Sequence, residues 1–331
     1  MTKEILVVGA GITGATIARQ LAEGGYRVTV IDESDKIGGA CYDDIVNRAY
    51  RQYHGAHIFN TTKESTWDFV SQFTKWHPFT HKVVSLVQGQ YVPLPINLTS
   101  LEALVSKDFY EDVIKTLKQQ KYSYEDDLTL NELLTNKSRT LQALGSFIKE
   151  NVFLNYSYKQ WGEFPSDAVI NRVKAFRYSK DDRYFRTPFQ GIPEKGYSEM
   201  IKNMLKHKSI KVKLNTKFDL DNGTLKFDNT FYTGPIDELL SYQFGELPYR
   251  TCKFSLHEYK GRYAQREASV VNYPNSYDFT RVHDYSWFMP TCDNGIIAKE
   301  YPAVFDRFDA SMTRYYPIDK KENHERFEKY K

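Results

Sequence analysis

The chain has 331 residues, enough for two or three domains, and its 41% apolar and 26% charged residues are ordinary for a globular protein. Its 45 basic and 42 acidic residues are intermixed and leave a net charge of +3, so no basic block marks a nucleic-acid surface. Cys41, Cys252 and Cys292 stand far apart, which signals neither a disulfide framework nor a zinc site, and no apolar run approaches the ~20 residues that span a bilayer. The opening "MTKEILVV" reads as a strand, because Glu4 precedes a run too short for a signal peptide; the expected compartment is the cytoplasm. Tyrosine (25) and phenylalanine (21) are abundant, which suits either a cleft that grips sugars and bases or a Tyr-rich core.

In chain order, Ile5 to Val8 is predicted as a buried parallel strand, Thr13 to about Glu23 as a helix, and Arg27 to Asp32 as a second strand. From about Ser100 to Glu150 the period turns helical, with Leu101, Leu104 and Val105, then Val113 and Leu117, then Leu141, Leu144 and Ile148; Ser100 is the expected N-cap. Strand-like runs follow between roughly Val169 and Tyr184 and from about Phe254 to Tyr301. The tail "DKKENHERFEKYK" is predicted to start a helix.

Gly9, Gly11 and Gly14 form G-x-G-x-x-G directly after a strand and before a helix. The first glycine allows a tight turn, the second lets a pyrophosphate approach the backbone, and the third lets helix and strand pack closely. The phosphates of a dinucleotide would sit at the positive helix N-terminus. Asp32 closes the second strand, where a carboxylate reaches ribose hydroxyls; Glu33, one residue out of phase, is expected to point elsewhere. The alternative is a glycine-rich turn in an unrelated fold. A second pair, Gly38 and Gly39 in "IGGACYDD", resembles FAD-binding Rossmann proteins and shifts the choice from NAD toward FAD, although alone it also suits a hairpin turn.

Eight motifs then occur in order: "YHGAHIFNT" (53–61), "YVPLPIN" (91–97), "YSYKQWG" (156–162), "QGIPEKGY" (190–197), "FYTGPID" (231–237), "FTRV" (279–282), "KEYP" (299–302) and "YYPI" (315–318). Together they resemble the UDP-galactopyranose mutase family along the whole chain. The resemblance implies an α/β fold with α+β insertions: an FAD-binding Rossmann-like domain (1–80, about 190–240, and 315–331), a helical domain (about 98–160), and an antiparallel-sheet substrate domain (about 81–97, 161–189 and 241–314). It also implies an isomerase that interconverts UDP-galactopyranose and UDP-galactofuranose with no net redox change. In that chemistry N5 of the reduced flavin forms a covalent adduct with the anomeric carbon of the sugar, and an external reductant keeps the flavin reduced. The product would serve surface polysaccharide. The oligomeric state stays open, a homodimer among the options.

The resemblance also assigns roles. Tyr156 and Trp161 match the aromatic pair that packs on uridine, where stacking contributes ~1–3 kcal/mol per base; two core aromatics after a helix are the alternative. Arg281 matches the diphosphate arginine, against a surface arginine on a strand. Tyr197, Tyr315 and Tyr316 match tyrosines near the phosphates, Asn272 a uridine or ribose contact, Glu300 a cleft residue or an exposed charge, and His57 a histidine beside the flavin. Three departures stand out. Asn60 replaces a second histidine and cannot titrate near neutrality. Pro188 occupies the place of a second diphosphate arginine, leaving Arg186, two residues earlier, as the substitute candidate. The family chain is also expected to run a few dozen residues beyond Lys331. These departures keep open a catalytically impaired remnant, and the fold class keeps open an amine-oxidase-type flavin oxidoreductase.

Overall fold

The structure, a computed structural model, describes residues 2–164, 173–220 and 226–331. The chain divides into two compact units: Met1–Phe79, Thr187–Pro248 and Pro317–Lys331 form the first, and Thr80–Arg186 with Tyr249–Tyr316 the second.

The first unit begins with strand Glu4–Val8, helix Ile12–Glu23 and strand Arg27–Ile31, each within a residue of its predicted bounds. They belong to a parallel sheet ordered Ile210–Lys213, Arg27–Ile31, Glu4–Val8, Asn229–Tyr232, in which Ile5 lies between Val28 and Asn229. A central parallel strand is covered on both faces, which is why the run Ile5-Leu6-Val7 is apolar without alternation and fully buried. Helix Ile12–Glu23 turns a small-residue face, Ala15, Ala18 and Ala22, to the core, so it sits close to the sheet. Helix Tyr197–Leu205 adds Met200, Ile201 and Met204 to the same core, and burying each such side chain stabilises by ~1.5–3 kcal/mol.

A smaller sheet sets Phe189–Pro193 between Phe59–Thr61 and Trp76–Pro78, with Gln190 opposite Asn60. The expected terminal helix forms as Lys321–Tyr330, and the Tyr330 hydroxyl donates to the Gly245 carbonyl at 2.7 Å.

In the second unit, the helical stretch forms as Leu98–Leu104, Lys107–Gln119, Leu130–Leu134 and Arg139–Ile148. One π-helical turn, Lys149–Phe153, leads into helix Leu154–Trp161. The expected anchors Leu101, Val113, Leu117, Leu141, Leu144 and Ile148 are all buried. Ser100 is not the N-cap. Asn97 is, and its Oδ1 accepts from the Ser100 amide at 2.9 Å, while the Ser100 hydroxyl donates to the Pro93 carbonyl at 2.6 Å. Asn97 caps three residues earlier because its side chain, unlike that of Ser100, faces the free amides of the first turn.

The main sheet runs Tyr249–Lys260, Asn294–Val304, Arg281–Asp284, Val270–Asn272, Val83–Val87, Gln90–Leu94, antiparallel except where Val270–Asn272 meets Val83–Val87. Of the strand-like run predicted from Val169, the part through residue 172 lies outside the described residues; Lys174–Arg177 is a strand, and Arg177 donates from Nε to Asp127 at 3.1 Å. Among the described residues no helix is long and apolar enough to cross a membrane.

His81 is buried beside Tyr184 and Phe185, with ring centroids 5.4 and 5.5 Å away. Burial, then the charges of His283 and Arg281, push its imidazole down to about 3. The unfolded chain, with a histidine near ~6.5, binds a proton the folded chain does not, so stability falls as pH drops from 6.5 toward 3, by up to ~1.4 kcal/mol per pH unit. We therefore expect His81→Gln to flatten part of the acid loss: between pH 6 and pH 4 its urea midpoint should fall less than that of the wild type. Parallel declines would show that His81 carries no such linkage.

Candidate functional site

Each unit holds one candidate site. In the first, the turn between strand Glu4–Val8 and helix Ile12–Glu23 opens onto a cleft of about 900 Å³ lined by Gly9, Gly11, Thr13, Asp32, Gly38 and Gly39. A Cβ on Gly14 would lie 1.9 Å from the Gly9 carbonyl oxygen, so only glycine lets the helix start this close to the turn. Gly11 differs. Its φ of −81° is open to any residue, and a Cβ there would make ordinary contacts with Gly39 Cα at 3.6 Å, the Gly38 carbonyl oxygen at 3.7 Å and Gly39 N at 3.9 Å. No protein atom demands glycine at 11; the space above it is the cleft, a cradle that a side chain would fill and a pyrophosphate would use.

The Gly38–Gly39 pair closes the far side. The Gly38 amide donates to the Ala10 carbonyl at 3.1 Å, and both glycines have positive φ. Helix Ile12–Glu23 has no side-chain cap, so its first amides face the cleft with the positive end of the dipole. The Asp32 carboxylate accepts from the Ala10 amide at 2.6 Å and from the Ser34 amide at 2.8 Å, which fixes it at the rim. Glu33, expected to point elsewhere, also lines the cleft, because the strand ends at Ile31 and the alternation ends with it. These residues fit a dinucleotide.

His57 lies in the same unit. Its backbone is clasped by Gln52, whose Oε1 accepts from the His57 amide at 2.7 Å and whose Nε2 donates to its carbonyl at 3.3 Å; ring Nδ1 is 3.1 Å from the Gly55 carbonyl. Tyr197 stands 6.3 Å from the His57 ring, but it is a core residue packed with Met200 and Ile201, because it opens its helix on the apolar side. Sequence reasoning missed Asp43, a buried carboxylate at the N-terminus of that helix. It accepts from the Tyr50 hydroxyl at 2.5 Å, the Tyr197 amide at 2.6 Å and the Ser198 amide at 2.8 Å.

In the second unit the sheet register places Asn272, Arg281 and Glu300 directly across from one another on three adjacent strands. Glu300 is 2% exposed, and Arg281 Nε approaches its Oε2 at 3.4 Å. His283 Nε2 lies 3.0 Å from the same oxygen, and Cys252 Sγ donates to Oε1 at 3.5 Å. Burial alone would raise the Glu300 carboxyl, yet Arg281 and then His283 hold it below the ordinary range. Burial holds the His283 imidazole down despite Glu300, so a neutral ring donates to a carboxylate.

The Arg281 guanidinium keeps 28% of its side chain exposed and sits 5.9 Å above the Tyr156 ring. Trp161 meets Tyr316 edge-on at 6.1 Å, and Tyr315 follows at 6.2 Å from Tyr316. Burial pushes the Tyr316 phenol up to about 12, so it remains a neutral donor at physiological pH. The structure thus gathers Tyr156, Trp161, Asn272, Arg281, Glu300, Tyr315 and Tyr316 in one unit.

Arg186 has other company. Its Nη1 donates to the Glu125 carbonyl at 2.7 Å, and its guanidinium pairs with the carboxylates of Glu125, Asp181 and Asp127 at 3.1, 3.4 and 3.7 Å. Three carboxylates offset its charge, so it is held as a structural ion pair. Sequence reasoning also missed Arg250, which donates from Nε to the Gln160 carbonyl at 2.9 Å, and Lys159, whose ammonium donates to the main-chain carbonyls of Tyr273 and Phe279, with the Asp278 carboxylate in the same loop adding an opposite charge.

Comparison with known proteins bears on the family and the fold. The family model described as UDP-galactopyranose mutase matches residues 151–331, and one described as an NAD(P)-binding Rossmann-like domain matches residues 7–73. A probable UDP-galactopyranose mutase of Klebsiella pneumoniae is 35% identical over 96% of this chain and 82% of its own length. The UDP-galactopyranose mutase of Mycoplasma genitalium is 31% identical over 99% and 85%, and the dTDP-fucopyranose mutase of Escherichia coli 30% identical over 95% and 85%. A crystal structure of reduced UDP-galactopyranose mutase, 18% identical, shares the fold with a TM-score of 0.66 over 96% of this chain and 76% of that one. With a family model spanning more than half of its residues and relatives matched over nearly its full length, the chain belongs to the UDP-galactopyranose mutase family.

Proposed function

We propose that the chain interconverts UDP-galactopyranose and UDP-galactofuranose with FAD as a resident cofactor that must be reduced. The observation that carries the reading is the Asn272–Arg281–Glu300 row with Tyr156 under the guanidinium. A half-buried cation, an amide and flat aromatic faces within one unit are what a uridine diphosphate requires.

Gly9, Gly11, Gly14, Gly38 and Gly39 would hold the FAD pyrophosphate, Asp32 its ribose, and His57 would contact the flavin ring. When bound and kept reduced by an external reductant, the flavin would supply a nucleophile, N5, for the anomeric carbon, so that no side-chain nucleophile would be needed and the reaction would be redox-neutral. The chain's own residues bind, orient and balance charge. Tyr156 and Trp161 pack on the uracil, and Asn272 hydrogen-bonds the uridine. Glu300 engages Arg281 through Nε, leaving the Nη donors for the diphosphate, whose charge grows as the UDP oxygen leaves carbon and shrinks as it returns. Tyr315 and Tyr316, phenols that burial keeps neutral, donate to phosphate oxygens. The reading extends to action in the cytoplasm and to delivery of the furanose to surface polysaccharide.

Purified protein reduced with dithionite should convert UDP-galactofuranose to UDP-galactopyranose, followed by chromatography, and stay inert when oxidised. Flavin reduction by an amine would favour an oxidoreductase instead, preference for dTDP-fucopyranose would favour the activity named for the Escherichia coli relative, and a colourless, inert chain would favour a remnant.

Within that assay, Arg281→Lys keeps a cation near Glu300 but loses the planar fork, and we expect kcat/KM to fall about tenfold to a hundredfold, the scale of one or two charge-assisted bonds. Trp161→Ala should raise KM by an amount that matches a lost stack, ~1–3 kcal/mol. A folded Arg281→Lys with unchanged kcat/KM would remove Arg281 from the diphosphate site.

A further inference from the structure

Lys159 lies in the last turn of helix Leu154–Trp161, three residues after Tyr156 and two before Trp161. Its ammonium enters the loop between strands Val270–Asn272 and Arg281–Asp284. There Nζ donates to the carbonyls of Tyr273 and Phe279, the latter at 2.9 Å, and lies 3.4 and 3.5 Å from those of Tyr277 and Ser276. An ammonium with three protons among four carbonyls is a tie to a particular backbone conformation, because it reads the path of the chain.

Other contacts serve the same tie. Asn155 Nδ2 donates to Asn275 Oδ1 at 2.9 Å, and Asn275 Nδ2 donates to the Asn151 carbonyl at 2.8 Å. The loop closes on itself with Tyr277 stacked on Phe279 at 5.0 Å and the Tyr273 amide donating to the Thr280 carbonyl at 2.8 Å. Thr280 in turn donates its amide to the Glu300 carbonyl at 2.9 Å. The next residue is Arg281. From the opposite side, Arg250 grips the carbonyls of Gln160 and Lys159 at 2.9 and 3.4 Å, so the helix end cannot slide without breaking contacts in both directions.

We infer that Lys159 is a positioning residue that sets the separation between the aromatic pair Tyr156/Trp161 and the Arg281 guanidinium, and so makes the site selective for a base and a diphosphate on one ribose. The inference rests on the proposed roles of those three residues. It goes beyond them in assigning the coupling between the two half-sites to one lysine and its carbonyl cage. A ligand that engages only one half-site does not feel the separation; a ligand that bridges both does.

The test compares wild type and Lys159→Met, as full chains, by calorimetric titration with uridine, inorganic diphosphate and UDP, alongside hydrogen exchange. For Lys159→Met we expect uridine and diphosphate affinities within about twofold of wild type, UDP affinity lower by about tenfold or more, and faster exchange of amides 275–281 with strand Val83–Val87 unchanged. Should the methionine variant fail to fold, Lys159→Gln, which keeps two donors, carries the same expectation in smaller measure. A folded variant that binds UDP like the wild type overturns the inference, as does equal weakening of all three ligands, which is what general loosening would give. A wild type that binds none of the three would overturn the proposed function instead. The exchange measurement would still stand: unchanged protection at 275–281 rejects the tie itself.

Discussion

A carboxylate with 2% exposure needs its compensation in place before the strands around it can close, and Glu300 obtains that from the strand beside it. The register that sets Arg281 opposite Glu300 brings a cation on one side, and the next inward residue of the same strand, His283, brings a neutral donor on the other. A slip of one residue would turn Arg281 to the opposite face and leave the carboxylate unpaired in the sheet. The rest of the second unit follows from that alignment. Asn272 falls on the same row, Thr280 docks on the Glu300 carbonyl, and the loop between them finds the end of helix Leu154–Trp161.

The same logic, with backbone in place of side chains, organises the first unit. There the requirement is that helix Ile12–Glu23 begin almost in contact with the strand that precedes it, and Gly14 meets it by having no side chain. Asp32 then ties the turn to the adjacent strand through the Ala10 amide, and the Gly38 amide ties the second glycine pair to the Ala10 carbonyl. Donor and acceptor of one residue are thereby both used, and the amides at the helix start are left for a ligand.

The sequence shows most clearly those features whose cause is local. The βαβ unit was legible because apolar runs, glycines and an acidic strand end follow one another within thirty residues, and the helices after Leu98 because their buried positions recur every three or four residues. Ser100 misled because serine and asparagine are equivalent capping residues on paper, and only the fold of the Pro93 segment draws the serine hydroxyl elsewhere. Arg186 is the last cation before the "QGIP" motif in sequence, yet its partners Glu125 and Asp127 arrive from about sixty residues away. Lys159 stood inside a quoted motif with no visible role, because its acceptors are main-chain carbonyls 114 to 120 residues on, and a carbonyl leaves no mark in the amino-acid pattern.

The interleaving of the two units along the chain bears on synthesis. Strand Glu4–Val8 leaves the ribosome before the other strands of its sheet, but its parallel neighbour Asn229–Tyr232 pairs with it across 224 positions, Ile5 with Asn229. At ~5–20 residues per second the first strand waits tens of seconds for that edge to be covered. Meanwhile the segment Thr80–Arg186 emerges whole, helices included, between two parts of the first unit. The N-terminal βαβ unit must therefore stay soluble with an open apolar strand while later segments are made. The short, glycine-broken shape of that run, with Lys3 and Glu4 ahead of it and Asp32 and Glu33 at its neighbour's end, places charges at the margins of the surface that stays uncovered longest.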